Sequence, residues 1–159
     1  MTKTLSQRIP HKRIIAFDIS PDMVEFAKAN HSSDTIEYFT EDIGKPWDQL
    51  NNTLKALEGK VSLVFSNRVL HWVENKENAA KNISKLLAIN GDICANVTPH
   101  RDLSPYLSPE FNENFVRIPT IDEQFETWIK LFTKYGIEFS FKDNFDYESY
   151  FDRNAISGN

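Results

Sequence analysis

"KRIIAFDISPDMVEFAKAN" (Lys12–Asn30) is the stretch whose reading decides the fold. An apolar run, Lys12–Phe17, carries β-branched Ile14 and Ile15 and stops at Asp18. Ser20 can then cap a helix, with Pro21 at its first position and Asp22 in its first turn. Met23, Phe26 and Ala27 are predicted to share the apolar face of that helix. The whole stretch reads as a buried strand that delivers a carboxylate to the edge of a sheet. Nucleotide ribose hydroxyls are often held at such a place, and a glycine-rich turn earlier in the chain normally completes the site. Only eleven residues precede Lys12, and none is glycine.

Working outward, Thr35–Phe39 alternates as a second strand until "TEDI" ends it. Trp47–Glu58 has Trp47, Leu50, Leu54 and Leu57 at helical spacing, with Gly59 as the stop. Lys60–Asn67 is a third strand, Glu74–Leu87 a helix with Ala79, Ala80, Ile83, Leu86 and Leu87 inward, and Asp92–Val97 a fourth strand. This alternation implies parallel strands joined by right-handed crossovers, an open α/β sheet. Ligands of such sheets sit beyond the strand C-termini, where Asp18, Asp42 and Asn67 fall. Residues 98–120 hold Pro99, Pro105, Pro109 and Pro119 and read as a long surface connection. Ile121, Phe125, Trp128, Ile129 and Phe132 mark a late amphipathic helix closed by Gly136, before a strand at Ile137–Lys142.

The 159 residues are 40% hydrophobic and 26% charged, the composition of one globular domain. A net charge of −5 and the lack of a basic stripe argue against a nucleic-acid partner. Cys94 is the one cysteine, which excludes a disulfide framework and a thiolate zinc site; it reads as a small packed hydrophobe. No secretory signal or bilayer-length apolar segment stands in the sequence, and the compartment is read as cytoplasmic. The five glycines, Gly44, Gly59, Gly91, Gly136 and Gly158, are scattered, so neither a Walker nor a dinucleotide phosphate cradle is present.

Three segments now line up: "IIAFDISPDMVEFAKAN", "IEYFTEDI" and "VSLVFSNRVLHWVENKENAAKNISKLLAINGDICANV". In that order they resemble the class I methyltransferases that use S-adenosylmethionine. Within these the chain looks like the juvenile hormone acid methyltransferase-like family. The most specific element is Leu70-His71-Trp72-Val73, then Asn82, Leu86-Leu87 and Gly91-Asp92. The resemblance implies a Rossmann-like α/β fold, an open, mostly parallel sheet with helices on both faces. It implies that Asp18 accepts from both ribose hydroxyls, with Ile19 on the adenine face. Asp42 would accept from the adenine amino group, with Ile43 beside the ring. Ser66 and Asn67 would lie along the methionine part of the cofactor. His71 and Trp72 would position the methyl acceptor, a hydrophobic carboxylic acid of the juvenile hormone acid or farnesoic acid kind. No metal is implied.

The resemblance also implies a first strand, its glycine-rich loop and a helix before Lys12, a unit of about 30 residues. On that reading residues 1–11 are the tail of a helix, 12–97 the core βα units, 98–120 a loop and 121–151 a late helix and strand of one partial domain. A strand between those bearing Asp18 and Asn67 is then missing, and the exposed sheet edges would favour self-association. Plainer roles stand beside each of these. Asp18 can be an aspartate at a helix start, Asp42 a solvated loop residue and His71 a structural histidine. Trp47, Trp72 and the Phe125–Trp128–Phe132 stripe can be core. The main alternative to an enzyme is a degenerate, non-catalytic α/β domain that binds or scaffolds. A nicotinamide-binding Rossmann domain shares the ribose acid but has no place for "EDI" and "LHWV" and lacks its glycines.

Overall fold

The computed structural model describes residues 2–97 and 119–138. Over these it runs α1 (Thr2–Arg8), β1 (Ile14–Asp18), α2 (Pro21–His31), β2 (Ile36–Thr40), a 3-10 turn (Trp47–Gln49) and α3 (Asn52–Lys55). Then follow β3 (Val61–Asn67), a second 3-10 turn (Leu70–Trp72), α4 (Lys76–Leu86), β4 (Leu87–Asn96) and α5 (Ile121–Lys134). The proline-rich segment 98–118 and most of the strand expected at Ile137–Lys142 lie outside the described residues.

β1 and β2 pair in parallel, from Ile14 opposite Ile36 to Asp18 opposite Thr40. The rings of Phe17 and Phe39 stack across this pair, 5.9 Å between centroids. The start of α2 follows its sequence signals: the Ser20 hydroxyl accepts from the Met23 N–H at 3.4 Å, and Pro21 opens the helix. Such a cap stabilises by about 1 kcal/mol. The buried face differs from the prediction. Val24 is buried, whereas Met23 and Phe26 are 56% and 57% exposed. The Tyr38 hydroxyl donates to the His31 carbonyl at 3.2 Å and pins the far end of α2 to β2. That fixes the helix rotation with Val24, Ala27 and His31 turned inward.

β3 and β4 also pair in parallel. Val61 lies opposite Leu87, but Leu63 already lies opposite Asp92. The ladder therefore begins where α4 ends, with a bulge before Asp92, and not at Asp92 as the alternation suggested. Asn90 takes a left-handed φ of 62° in the bulge, a conformation asparagine tolerates better than most residues. A Cβ on Gly91 would stand 2.7 Å from the Val61 carbonyl oxygen. Backbone meets backbone there, and only glycine fits.

The predicted helix Trp47–Glu58 is broken. Leu50 is extended, and Asn51 caps a fresh start by accepting from the Thr53 N–H at 2.8 Å. The break has a tertiary cause. The buried Glu41 carboxylate accepts the Asn51 N–H at 2.6 Å, which fixes that residue outside any helix. Leu50 and Leu54 are still buried, as their spacing suggested.

Among the described residues the strands form two two-stranded sheets, not one open sheet. One core joins them. Ile43, Leu54, Leu70, Val73 and the inner faces of α4 and α5 form it, with Phe17 and Phe39 from one sheet and Val64 and Ile93 from the other packed against it. Trp128 and Phe132 of α5 are buried here, stacked at 5.4 Å, and each contributes about 1.5–3 kcal/mol of burial. Thr120 and Glu123 form a reciprocal capping box at the start of α5. Cys94 corrects the prediction: it is exposed. It stands opposite Phe65 in the ladder, on the face turned away from Val64, Ile93 and the helices. No helix among the described residues is long and apolar enough to cross a membrane.

α4 and α5 are also tied at the surface. Glu77 accepts from the Lys134 ammonium and, at 2.9 Å, from the Tyr135 hydroxyl. The hydrogen bond from Lys134, then that from Tyr135, holds the Glu77 carboxyl below its ordinary value of 4.5. A carboxyl with a depressed folded-state pKa stabilises above its unfolded value and loses that contribution as pH falls through the folded one. Glu77→Gln is therefore expected to melt below the parent near neutral pH, and to match it once the medium is acid enough to protonate Glu77. Parallel melting curves of the two proteins against pH check this.

Candidate functional site

The C-terminal ends of β1 and β2 make a rim. Asp18 ends β1, half-buried, and its Oδ1 accepts the Ser20 N–H at 2.9 Å. Its backbone carbonyl takes the Glu41 N–H at 3.0 Å, which extends the ladder past β2. Oδ2 has no protein partner among the described residues. A carboxylate held by one oxygen and open at the other is preorganised to accept from a ligand hydroxyl. Ile19 beside it is 68% exposed, a large apolar surface directly at the rim.

Asp42 lies two residues past β2. Its Oδ1 accepts the Gly44 N–H at 2.8 Å, so it shapes its own turn. The neighbouring Glu41 is the structural acid of the pair. It is buried and gathers the Asp42 N–H at 2.9 Å, the Lys45 ammonium at 3.1 Å and the Asn51 N–H. Ile43, expected beside a bound ring, is only 6% exposed. Its side chain belongs to the core, because the turn closes over it.

α4 clamps this turn from the other side. Asn82, 1% exposed, spends both amide hydrogens on the carbonyls of Ile43 and Lys45, each at 2.8 Å. Asn78 donates to the Gly44 carbonyl at 3.0 Å. These bonds join the β1–β2 rim to the half of the molecule that carries β3.

Ser66 and Asn67 end β3 opposite Ala95 and Asn96. The Ser66 hydroxyl is buried with no hydrogen-bond partner among the described residues. A buried water is the usual partner of such a group. Four residues past Asn67, His71 sits half-buried in the Leu70–Trp72 turn, while Trp72 is 70% exposed. Their rings lie 5.1 Å apart. Trp72 is therefore not core. His71 lines a cavity of about 260 Å³ with Lys76, Val97 and the α5 residues Gln124, Thr127 and Trp128.

The sequence and the fold match known proteins. A family model described as methyltransferase domain matches residues 1–93. The chain belongs to the methyltransferase domain family. Curated relatives of this methyltransferase domain are named malonyl-[acyl-carrier protein] O-methyltransferase. That of Acetivibrio thermocellus is 28% identical over 65% of this chain and 34% of its own length. That of Hahella chejuensis is 26% identical over 57% of this chain and 30% of its own. An Ilyobacter polytropus relative is 26% identical over 77% of this chain and 46% of its own. The chain thus spans about a third to a half of the curated relatives it matches. Among solved structures, a chain from the complex of the Haloferax volcanii Trm112 methyltransferase activator with a methyltransferase superposes with a TM-score of 0.60. It is 18% identical and covers 85% of this chain and 54% of its own. The fold is therefore the Rossmann-like α/β fold of methyltransferases.

The rim suits the cofactor of such enzymes in two observed ways: the open Asp18 oxygen and the exposed Ile19 beside it. Sequence reading missed Glu41, Asn78 and Lys76 as parts of the site. A faint signal existed for Glu41, the first acid of "EDI". Asn78 carries none, since its partner Gly44 is distant in sequence, and Lys76 reads from the sequence as an ordinary surface lysine at a helix start.

Proposed function

We propose that this chain forms part of an S-adenosylmethionine-dependent O-methyltransferase whose acceptor is the carboxylate of a small hydrophobic acid. The open Asp18 carboxylate beside exposed Ile19, at the end of β1 in a methyltransferase domain, carries the reading. Asp18 would accept from the ribose hydroxyls, Ile19 would cover one face of the adenine, and Asp42 would accept from its amino group. Ser66 and Asn67 would meet the methionine part. When bound, the cofactor supplies a methyl group on a positively charged sulfur. A carboxylate acceptor is already ionised at neutral pH, so the chain needs no general base. Its residues have to place the acceptor oxygen in line and keep water out, and positioning of that kind can lower a barrier by about 7–11 kcal/mol. His71 orients the acceptor, with Trp72 at its side.

Two acid classes meet this chemistry. The juvenile hormone acid methyltransferase-like resemblance points to an isoprenoid acid such as farnesoic acid. The names of the curated relatives point to a malonyl group. A second reading, a non-catalytic binding or scaffolding domain, draws on a different observation. Among the described residues β1 pairs only with β2 and β3 only with β4. Each keeps a free edge that a second copy or a partner strand could cover.

The test is incubation with S-adenosylmethionine and a panel of short and isoprenoid acids, following release of S-adenosylhomocysteine and formation of the methyl ester. His71→Ala is expected to lower turnover by about two orders of magnitude, the scale of a misplaced acceptor. Its affinity for S-adenosylhomocysteine should stay that of the parent. Loss of that affinity instead would make His71 a structural residue.

A further inference from the structure

We infer that the cavity between the Leu70–Trp72 turn, the start of α4 and the face of α5 holds the acceptor carboxylate, with Lys76 as its counter-charge. The assignment to the acceptor rests on the methyltransferase reading; the carboxylate site itself rests on the cavity. Its lining combines apolar Val97 and Trp128 with polar His71, Lys76, Gln124 and Thr127. A mainly apolar wall with a few convergent polar groups is the usual make-up of a small-molecule pocket.

Lys76 is half-buried at the first position of α4. Its ammonium gives one N–H to the Val73 carbonyl at 2.9 Å. An ammonium has three donors, and no carboxylate pairs with this one among the described residues. The nearest acid along the helix, Glu77, is taken by Lys134 and Tyr135. Helix stability gives no account of the charge either, since a cation in a first turn opposes the helix dipole. A half-buried ammonium beside a cavity, short of one anion, makes charge-assisted hydrogen bonds to a carboxylate that enters. His71 stands on the same wall and joins this site to the end of β3.

The cavity of about 260 Å³ is near the lower end of the range for small-molecule pockets, about 300–1,000 Å³, room enough for a short acyl acid beside Lys76.

Calorimetric titration of the full chain with hexanoate and its uncharged analogue hexanamide tests this. The parent is expected to bind hexanoate about tenfold more tightly than hexanamide, the scale of one charge-assisted hydrogen bond. Lys76→Met should erase the preference for the acid, and Lys76→Arg should keep it. Thr127→Trp, which fills the cavity from α5, should abolish binding of both short probes. Equal affinity for acid and amide in the parent, no binding of hexanoate, or an undiminished preference in Lys76→Met overturns the proposal. Should Lys76→Met fail to melt cooperatively, hexanoate binding retained by Thr127→Trp does the same. S-adenosylhomocysteine titrated into the same proteins keeps the two readings apart. Its binding without an acid preference sinks the cavity alone. An acid preference without its binding sinks the acceptor assignment and leaves a carboxylate site.

Discussion

Asn82→Ala is expected to lower the melting temperature by about 5–20 °C. The substitution strips the hydrogen-bond donors from two carbonyls, those of Ile43 and Lys45, that face a side chain only 1% exposed. An orphaned buried carbonyl costs about 1–3 kcal/mol, in full for Ile43 and in part for the half-buried bond to Lys45. In a domain of this size, 1 kcal/mol moves the midpoint by about 2–4 °C. Asn82→Asp makes a useful companion. It keeps the shape but sets acceptor against acceptor in a buried place, and should be no more stable than the alanine variant. A loss of under about 2 °C for Asn82→Ala would show that the Asp42 turn is held by packing alone, and the clamp would be wrong.

Asp18→Ala is expected to remove most of the thermal stabilisation conferred by S-adenosylhomocysteine. At a ligand concentration of about a hundred times Kd, the parent should gain about 2.7 kcal/mol. Two charge-assisted hydrogen bonds are together worth about a hundredfold or more in affinity. At the same concentration the variant would then gain only about 0.4 kcal/mol. Asp18→Asn controls for the fold, since its side-chain oxygen can still accept the Ser20 N–H that Oδ1 takes in the parent. It should melt like the parent without ligand and bind at intermediate strength. An unchanged shift in Asp18→Ala would rule out the ribose role.

What was legible in the sequence was local. Ser20-Pro21-Asp22 announces the start of α2 because a cap, a first-turn proline and an acid each act within one turn, and the helix begins there. The spacing of Trp128 and Phe132 announces a buried stripe because it is set by helix geometry, and both are buried. Parallel pairing followed from the alternation of elements. Misreadings arose where a distant residue decides. Nothing near Leu50 says that Glu41 will take the Asn51 N–H and break the helix. The run "DICANV" shows that β4 is apolar but not which face the helices cover, so Cys94 was placed inward when it faces out. On α2, Met23 and Val24 are equally good candidates for burial, and Tyr38 settles the choice from another strand.

The site divides in the same way. Asp18 and Ile19 were visible because a strand's last residue and the next one must lie at the rim. Ile43 was placed at the rim by family likeness, and the turn closed by Asn82 draws it into the core. Trp128 was read as core alone. It is core on one side and cavity wall on the other, a double role no periodicity can show.

The most direct measurement is a calorimetric titration of the purified chain with S-adenosylhomocysteine. Saturable binding at one site per chain, in a protein that melts cooperatively, is the result this account predicts. A cooperatively folded chain that takes up none of it would contradict the account, and the molecule would be a methyltransferase domain that binds something else.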